Sequence, residues 1–258
     1  MWKTLNNYNY FMSEKNHTSE DYKNHMAEEH KRTPFSEYLR EIVYGGSDGI
    51  VTTFAVVAGF TGAHLGNGSV LGGSFFTVLL FGFANLFADA TSMGLGNFLS
   101  IRSDQDVYDL EEKKELREIR ENPEMEKAKT EHILIKKGFK KEESKKLTDI
   151  YVKNEKYWLE FMMRNERDMP NPKSDNPFFT GMATFLSFLF FGFIPLVPYI
   201  IFQSATNVFA LSIVSALLAL ILLGILRLKV TNEKIYRSVG EVVLLGGVSA
   251  ATAYLVGT

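Results

Sequence analysis

Residues 177–226 read PFFTGMATFLSFLFFGFIPLVPYIIFQSATNVFALSIVSALLALILLGIL and contain no charged side chain. A helix crosses a hydrocarbon layer about 30 Å thick with about 20 apolar residues, so this stretch is long enough for two crossings. Lipid cannot hydrogen-bond to the backbone, which favours helices in such a stretch. These residues therefore predict a helical integral membrane protein.

Apolar stretches of similar length occur elsewhere in the chain. Between residues 42 and 100 only Asp48 and Asp89 are charged, and Glu241 is the one charge in the last apolar stretch. A signal anchor followed by buried core helices is the alternative, but five stretches of this length argue against it. The sequence predicts an all-α integral membrane protein with five transmembrane helices, at residues 42–63, 70–99, 178–202, 206–226 and 238–257.

A highly charged segment separates the second and third apolar stretches. Residues 101–176 contain 19 acidic and 18 basic side chains, so they cannot lie in lipid. The second transmembrane helix is expected to continue into this segment as far as Pro123, because proline ends a helix. Further helices are predicted at about 124–137, ending at Gly138, from near Glu142, and over about 154–169. The sequence predicts a small cytosolic helical domain inserted between transmembrane helices two and three.

Lysine and arginine residues lie on one side of the predicted membrane. The connections at 64–69 and 199–206 contain none, whereas 227–237 contains four and the insert contains 18. The positive-inside rule then places the N-terminus and the insert in the cytosol and the C-terminus in the lumen. Four domains are predicted. Residues 1–34 form a disordered cytosolic tail and residues 35–100 form transmembrane helices one and two. Residues 101–176 form a cytosolic metal-binding domain, and residues 177–258 form transmembrane helices three to five.

Composition excludes several classes of protein. The chain has no cysteine, which excludes disulfide scaffolds, thiolate metal sites and cysteine nucleophiles. Its 28 basic and 30 acidic residues nearly balance, so nothing indicates nucleic-acid binding. No nucleophile–base pair, phosphate loop or zinc-hydrolase motif occurs, so we expect neither an enzyme nor a prosthetic group.

Carboxylates within a membrane are costly and usually functional. Asp48 lies inside the first predicted transmembrane helix and Asp89 inside the second. Glu41 precedes Asp48 by seven residues, two helical turns on the same face, and Glu37 lies one turn further out. This row indicates a cation path that enters from the cytosol. The alternative is structural, with buried aspartates that accept hydrogen bonds and glutamates that merely lie at the interface.

Methionine adds a softer ligand to these carboxylates. Met93 lies in the second transmembrane helix within TSMGLGN, and a thioether beside carboxylates suits a borderline metal such as Fe²⁺. Glycines next to it favour close helix packing. A lone methionine that only fills space against lipid is the alternative.

The insert contains a second candidate metal site. Glu111, Glu115 and Glu118 are spaced i, i+4 and i+7 and share one helical face, where like charges repel unless water or a cation separates them. Met162 and Met163 lie within one turn of Glu166. A solvated charged face is the alternative for both groups.

Several motifs together resemble the vacuolar iron transporter family. They are DGIVTTFA at 48–55, ANL at 84–86, AD at 88–89, SMGLGNFL at 92–99 and WLEFMM at 158–163. The resemblance covers roughly residues 35–258. It implies a homodimer with a pore between the first helices of the two subunits, and transport of cytosolic Fe²⁺ into a storage compartment in exchange for protons.

The resemblance also implies roles for individual residues. Asp48 and Met93 match the metal-binding pair within the membrane, and Glu41 and Glu37 match the acidic cytosolic entrance. The residues that match metal ligands in the insert are Glu115, Glu118, Glu126, Met162, Met163 and Glu166.

Two residues depart from the family pattern. Lys129 stands where a carboxylate is expected, so that either Glu131 substitutes for it or one site is lost. Asn85 stands where some members have a glutamate, and Asp89, one turn away, could supply its charge.

The sequence therefore predicts a proton-coupled Fe²⁺ transporter, with Mn²⁺ and other divalent ions as further substrates. It is expected in the vacuole membrane, with the endoplasmic reticulum or another endomembrane as the alternative. Expected partners are divalent metal ions, protons, membrane lipid and a second copy of the chain. The rival function is a membrane-anchored metal sensor or buffer, which would have no reason to bury Asp48.

Overall fold

The computed structural model describes residues 34–66, 75–202, 207–231 and 235–257. The tail predicted over residues 1–34 lies outside these ranges except for Pro34. The chain divides into two units, Met1–Leu39 and Arg40–Thr258. All regular elements within the described ranges are helical. The α-helices are α1 (Pro34–Glu37), α2 (Leu39–Gly66), α3 (Phe75–Glu121), α4 (Pro123–Lys136), α5 (Lys141–Tyr151), α6 (Glu155–Asn165), α7 (Pro177–Phe193), α8 (Val197–Ile201), α9 (Val208–Thr231) and α10 (Ile235–Gly257).

Within the part of the chain that the structure describes, four helical stretches are long and apolar enough to cross a membrane: Leu39–Thr61, Phe75–Glu121, Pro177–Ile201 and Val208–Lys229. Within α10 the apolar part is shorter, Val239–Val248. An all-α fold with candidate membrane-spanning helices is thus confirmed for the described residues, whereas five crossings and a cytosolic insert between the second and third stay predictions.

The helix α3 contains 47 residues. At 1.5 Å per residue its length is about 70 Å, more than twice the thickness of the hydrocarbon layer. It ends at Glu121, and Pro123 starts α4, where a missing backbone N–H costs nothing because the first N–H groups of a helix have no partner. The charged segment thus begins as a direct continuation of a candidate transmembrane helix.

The short helix α4 begins and ends close to the predicted positions, and α5 begins close to its predicted start at Glu142. Gly138 follows α4 with a φ of 100°, a left-handed conformation that suits glycine. The helix predicted over 154–169 ends four residues earlier than expected, at Asn165. Asp168 adopts a φ of 55°, and the backbone N–H of Met169 donates to the carbonyl oxygen of Met163 over 3.0 Å, so the chain turns back there.

The third apolar stretch is also not a single helix. The α-helix stops at Phe193, a 3₁₀ turn follows over Ile194–Leu196, and α8 completes the stretch. Pro195 lacks an N–H group and interrupts the helical hydrogen bonds. Its carbonyl oxygen accepts a hydrogen bond of 2.7 Å from the hydroxyl of Ser212 in α9. A neighbouring helix thus supplies a hydrogen-bond partner at the point of interruption.

Glycines allow α2, α3 and α7 to approach closely. A Cβ atom added to Gly49 of α2 would lie 2.5 Å from the carbonyl oxygen of Phe188 in α7. Gly94 of α3 and Gly181 of α7 face each other in the same way, with an added Cβ 3.0 and 2.7 Å from the opposite carbonyl oxygen. Small residues are what permits such packing between membrane helices.

Two apolar clusters complete the packing of these helices. The first joins α2 to α7 and α9 around Ile50, Phe191 and Leu223. The second joins α2, α3 and α7 around Leu86 and Phe188. The candidate pathway residues of α2 and α3 are therefore held by a packed bundle.

Candidate metal-binding sites

Three helices of the charged segment meet around a small apolar core. Ile119 of α3 packs with Trp158 and Met162 of α6, and Ile133 of α4 lies against them. The indole N–H of Trp158 donates to the hydroxyl oxygen of Thr130 in α4 over 2.8 Å. This core positions the side chains that project from α3, α4 and α6 on its polar side.

Glu115, Glu126 and Glu166 lie together on that polar side. One carboxylate oxygen of each residue lies within 4.8 Å of the corresponding oxygens of the other two. Glu115 and Glu126 are buried, with 0% and 1% of their surface exposed. Among the described residues, Oε1 of Glu115 and Oε2 of Glu126 have no hydrogen-bond partner. Buried carboxylate oxygens without partners are costly, so this arrangement suits a cation.

Both predicted methionine ligands of the insert are completely buried. The hydroxyl of Thr130 lies 3.3 Å from the sulfur of Met162, and Thr130 follows Glu126 by one helical turn on α4. The thioether is thus held beside the helical face of α4 that carries a buried carboxylate. A thioether near carboxylates suits a borderline divalent metal better than Mg²⁺ or Ca²⁺.

Lys129 donates to three carboxylates at the edge of this cluster. Its Nζ atom lies 2.8 Å from Glu126 Oε1, 3.0 Å from Glu166 Oε1 and 3.3 Å from Glu118 Oε2. Partial burial acts to lower the pKa of Lys129, but hydrogen bonds to these carboxylates outweigh it and raise that pKa above its usual range. Lys129 therefore carries its positive charge at any physiological pH.

A second cation, Arg167, was missed by the sequence analysis. Its guanidinium lies 2.9 Å from Glu115, 3.0 Å from Glu111 and 3.4 Å from Glu118. It thus neutralises the acidic face of α3, on which the sequence predicts repulsion between like charges. The signal in the sequence was its position directly after Glu166, next to a predicted ligand. Glu111 and Glu118 belong to this ion-pair network and lie outside the three-carboxylate cluster.

Carboxylates also lie along the membrane helix α2. Glu41 is buried, with 5% of its surface exposed, and accepts a hydrogen bond of 2.9 Å from Nε of Arg40. Asp48 is half-buried two turns further along the same face. Glu37 ends α1 and is exposed.

The candidate residues of α3 have different surroundings. The side-chain amide of Asn85 donates to Oδ2 of Asp89 over 2.7 Å. Asn85, which departs from the family pattern, thus forms a polar pair with Asp89, the residue expected to supply the charge in its place. Met93 packs against the apolar cluster around Phe188. The roles of Asp48, Met93 and Asp89 in a pathway stay predictions.

Residues 39–258 match the model of the VIT family. The chain belongs to the VIT family. It is 34% identical to vacuolar iron transporter 1 of Arabidopsis thaliana over 218 residues, which are 84% of each chain. It is 33% identical to the vacuolar iron transporter of Toxoplasma gondii (strain ATCC 50861 / VEG) over 86% of this chain and 74% of that protein. It is 31% identical to vacuolar iron transporter 1 of Oryza sativa subsp. japonica over 84% of this chain and 83% of that protein.

This result confirms the family resemblance drawn from the sequence motifs. The VIT family match starts at the first residue of α2 and includes both apolar regions and the charged segment between them. The acidic cluster and the carboxylates of α2 therefore lie within the part of the chain that the family shares.

Proposed function

We propose that this VIT family member transports Fe²⁺ from the cytosol into a vacuole in exchange for protons. Support comes from relatives named vacuolar iron transporter that match most of the chain. The observation that carries the proposal is the cluster of Glu115, Glu126 and Glu166, in which two buried carboxylates each keep an unpartnered oxygen and therefore suit a cation. Two buried methionines on α6, the helix that leads to Glu166, add the softer side chains that favour Fe²⁺ over Mg²⁺. Mn²⁺ and other divalent ions are further substrates of the same chemistry.

The proposed topology has five transmembrane helices, with α10 as the fifth. The charged segment then faces the cytosol, where it captures metal, and the C-terminus faces the lumen of the vacuole. The chain forms a homodimer whose two α2 helices line the pore. The row of carboxylates on α2 supports this placement, because an ionisable side chain inside lipid needs a hydrophilic path beside it.

The proposed path leads from the insert through Glu37 and Glu41 to Asp48 and Met93. Glu41 and Asp48 are seven residues apart on α2, a rise of about 10 Å, so a metal ion can pass from one carboxylate to the next. Asp89 extends the polar lining on α3, held by Asn85. Met93 contributes the softer donor that favours Fe²⁺ over Mg²⁺.

Proton exchange follows from the chemistry of carboxylates. A carboxylate binds metal only when it is deprotonated, so protons and metal ions compete for Asp48. In an acidic lumen the proton displaces the metal, and the protonated side chain then returns to the cytosolic side. A binding site that opens alternately to either side of the membrane converts this competition into exchange.

The test is Fe²⁺ uptake into liposomes that contain the purified protein, with the lumen at acidic or neutral pH. We expect wild-type uptake to increase with the proton gradient and the Asp48→Asn variant, which has the same size but no charge, to lose it. Asp149→Asn makes the same chemical change on an exposed surface of α5 and serves as the control. Near-normal uptake by Asp48→Asn would contradict the proposed path. Tight Fe²⁺ binding by the wild type without uptake would instead support a membrane-anchored sensor or buffer.

A further inference from the structure

A positively charged side chain of the protein itself contacts the carboxylate cluster of the insert. Lys129 extends from α4 and places its ammonium group 2.8 Å from Glu126 and 3.0 Å from Glu166. These are two of the three carboxylates that form the cluster. The ammonium group therefore contacts two of the three carboxylates that a metal ion at this cluster would need.

The cluster has further capacity for positive charge. Even with Lys129 and Arg167 in contact, one oxygen of Glu115 and one of Glu126 remain buried without a hydrogen-bond partner among the described side chains. Two fully buried carboxylates that each retain an unpartnered oxygen indicate that the chain's own cations do not complete the site. The unpartnered oxygens are thus an observation, independent of the clustering of the carboxylates, that favours the binding of a further cation.

We propose that Lys129 is a tethered competitor of the metal ion, which weakens metal binding at Glu115, Glu126 and Glu166 and keeps it readily reversible. Arg167 contacts one member of the cluster, Glu115, and otherwise pairs with Glu111 and Glu118 of the α3 face, whereas Lys129 contacts two members of the cluster. The proposal rests on the capture of metal by the insert in the proposed function.

The competition follows from charge and from shared ligands. A divalent ion bound to Glu126 and Glu166 would lie within a few ångströms of the Lys129 ammonium, so either the lysine leaves or the two cations repel each other. Both courses reduce affinity. If the metal ion must displace a hydrogen bond between Lys129 and a carboxylate, its affinity falls by about 10- to 100-fold. For a transporter, weak binding at the point of capture permits release toward the pore.

The experiment is anaerobic calorimetric titration of the purified full-length protein with Fe²⁺. We expect Lys129→Met to bind at least about tenfold more tightly than wild type, because the competitor is gone and its carboxylates are free. Lys129→Arg retains the charge and is expected to bind like wild type. Lys127→Met is the matched control, since Lys127 lies two residues away on α4 and pairs with Glu124 outside the cluster. Size-exclusion chromatography monitors folding, and Lys129→Gln replaces the methionine variant if that variant aggregates.

A fourth variant, Glu126→Gln, identifies which part of the binding belongs to this cluster. If Glu126→Gln loses binding while Lys129→Met binds no more tightly than wild type, the site exists but Lys129 does not compete for it, and the inference is overturned. Equal tightening by Lys127→Met would also overturn it, because the effect would then come from net charge. Absence of Fe²⁺ binding in both wild type and Lys129→Met overturns it as well, whereas Asp48-dependent uptake into liposomes still reports on transport separately.

Discussion

Gly49 lies where α2 crosses α7, and an alanine at this position is expected to force the two helices apart. The added Cβ would lie 2.5 Å from the carbonyl oxygen of Phe188 and 3.1 Å from its carbonyl carbon and Cα. Ordinary van der Waals contact begins at 3.4 Å, so the helices have to separate by 3.4 − 2.5 = 0.9 Å. The atoms in the way belong to the backbone, which cannot rotate aside as a side chain can.

A gap of this size weakens every contact across the seam. A radial separation of about 0.5–1 Å forfeits roughly a quarter to a half of the dispersion energy of each contact. Overpacking of this kind typically costs about 1–3 kcal/mol, and a backbone clash belongs to the upper part of that range. For a chain of this length we expect Gly49→Ala to lower the apparent melting temperature by roughly 4–12 °C.

The assay is thermal unfolding of the purified protein in detergent, followed by the remaining monodisperse fraction. Gly59→Ala is the matched control on the same helix, because an added Cβ there meets nothing within 4 Å. It is expected to be neutral or slightly stabilising, since alanine is the better helix former. A Gly49→Ala protein that melts with the wild type and with Gly59→Ala would refute the close approach of α2 and α7.

Two further substitutions test contacts between helices. Thr184→Val removes a buried hydroxyl that accepts a 2.7 Å hydrogen bond from the side-chain amide of Asn97, which should cost about 0.6 to 1.7 kcal/mol in the same unfolding assay. Thr91→Val is the control, because the exposed hydroxyl of Thr91 donates to the carbonyl oxygen of Phe87 in its own helix, and we expect no loss of stability. An equal loss of stability in both variants would contradict a contribution of the Asn97–Thr184 hydrogen bond. Trp158→Phe removes the buried hydrogen bond to Thr130 and should destabilise the insert by about 1–3 kcal/mol, measured by urea unfolding followed by circular dichroism. Phe139→Leu, at an exposed aromatic side chain of the same segment, is its control, and an unchanged midpoint for Trp158→Phe would show that this hydrogen bond contributes nothing to the stability of the insert.

Much of the fold was predictable because lipid imposes strong constraints on a sequence. The charge-free residues 177–226 and the long apolar part of α3 predicted membrane helices without knowledge of any contact. Pro123 and Gly138 predicted helix boundaries in the insert through local backbone geometry alone. The interruption at Pro195 was not predicted, although it follows from the missing N–H group of that proline, and the hydrogen bond from Ser212 only satisfies its carbonyl oxygen. The early end of α6 was not predicted because it depends on the turn at Asp168.

Part of the candidate metal site was also predictable from the sequence. Helical spacing placed Glu111, Glu115 and Glu118 on one face of α3, and the family motifs indicated Glu126 and Glu166 as candidate ligands.

The sequence by itself thus determined which residues share a helical face and which segments can lie in lipid, since both depend only on local periodicity and polarity. The packing of the helices in three dimensions brings Glu115, Glu126 and Glu166 within 4.8 Å of one another. It also places Lys129 beside Glu126 and Glu166, and Arg167 beside Glu115. The distances between α3, α4 and α6 depend on how Trp158, Met162 and Ile119 pack at their centre. Packing of that kind is a property of three helices together, and no single segment of the sequence contains it.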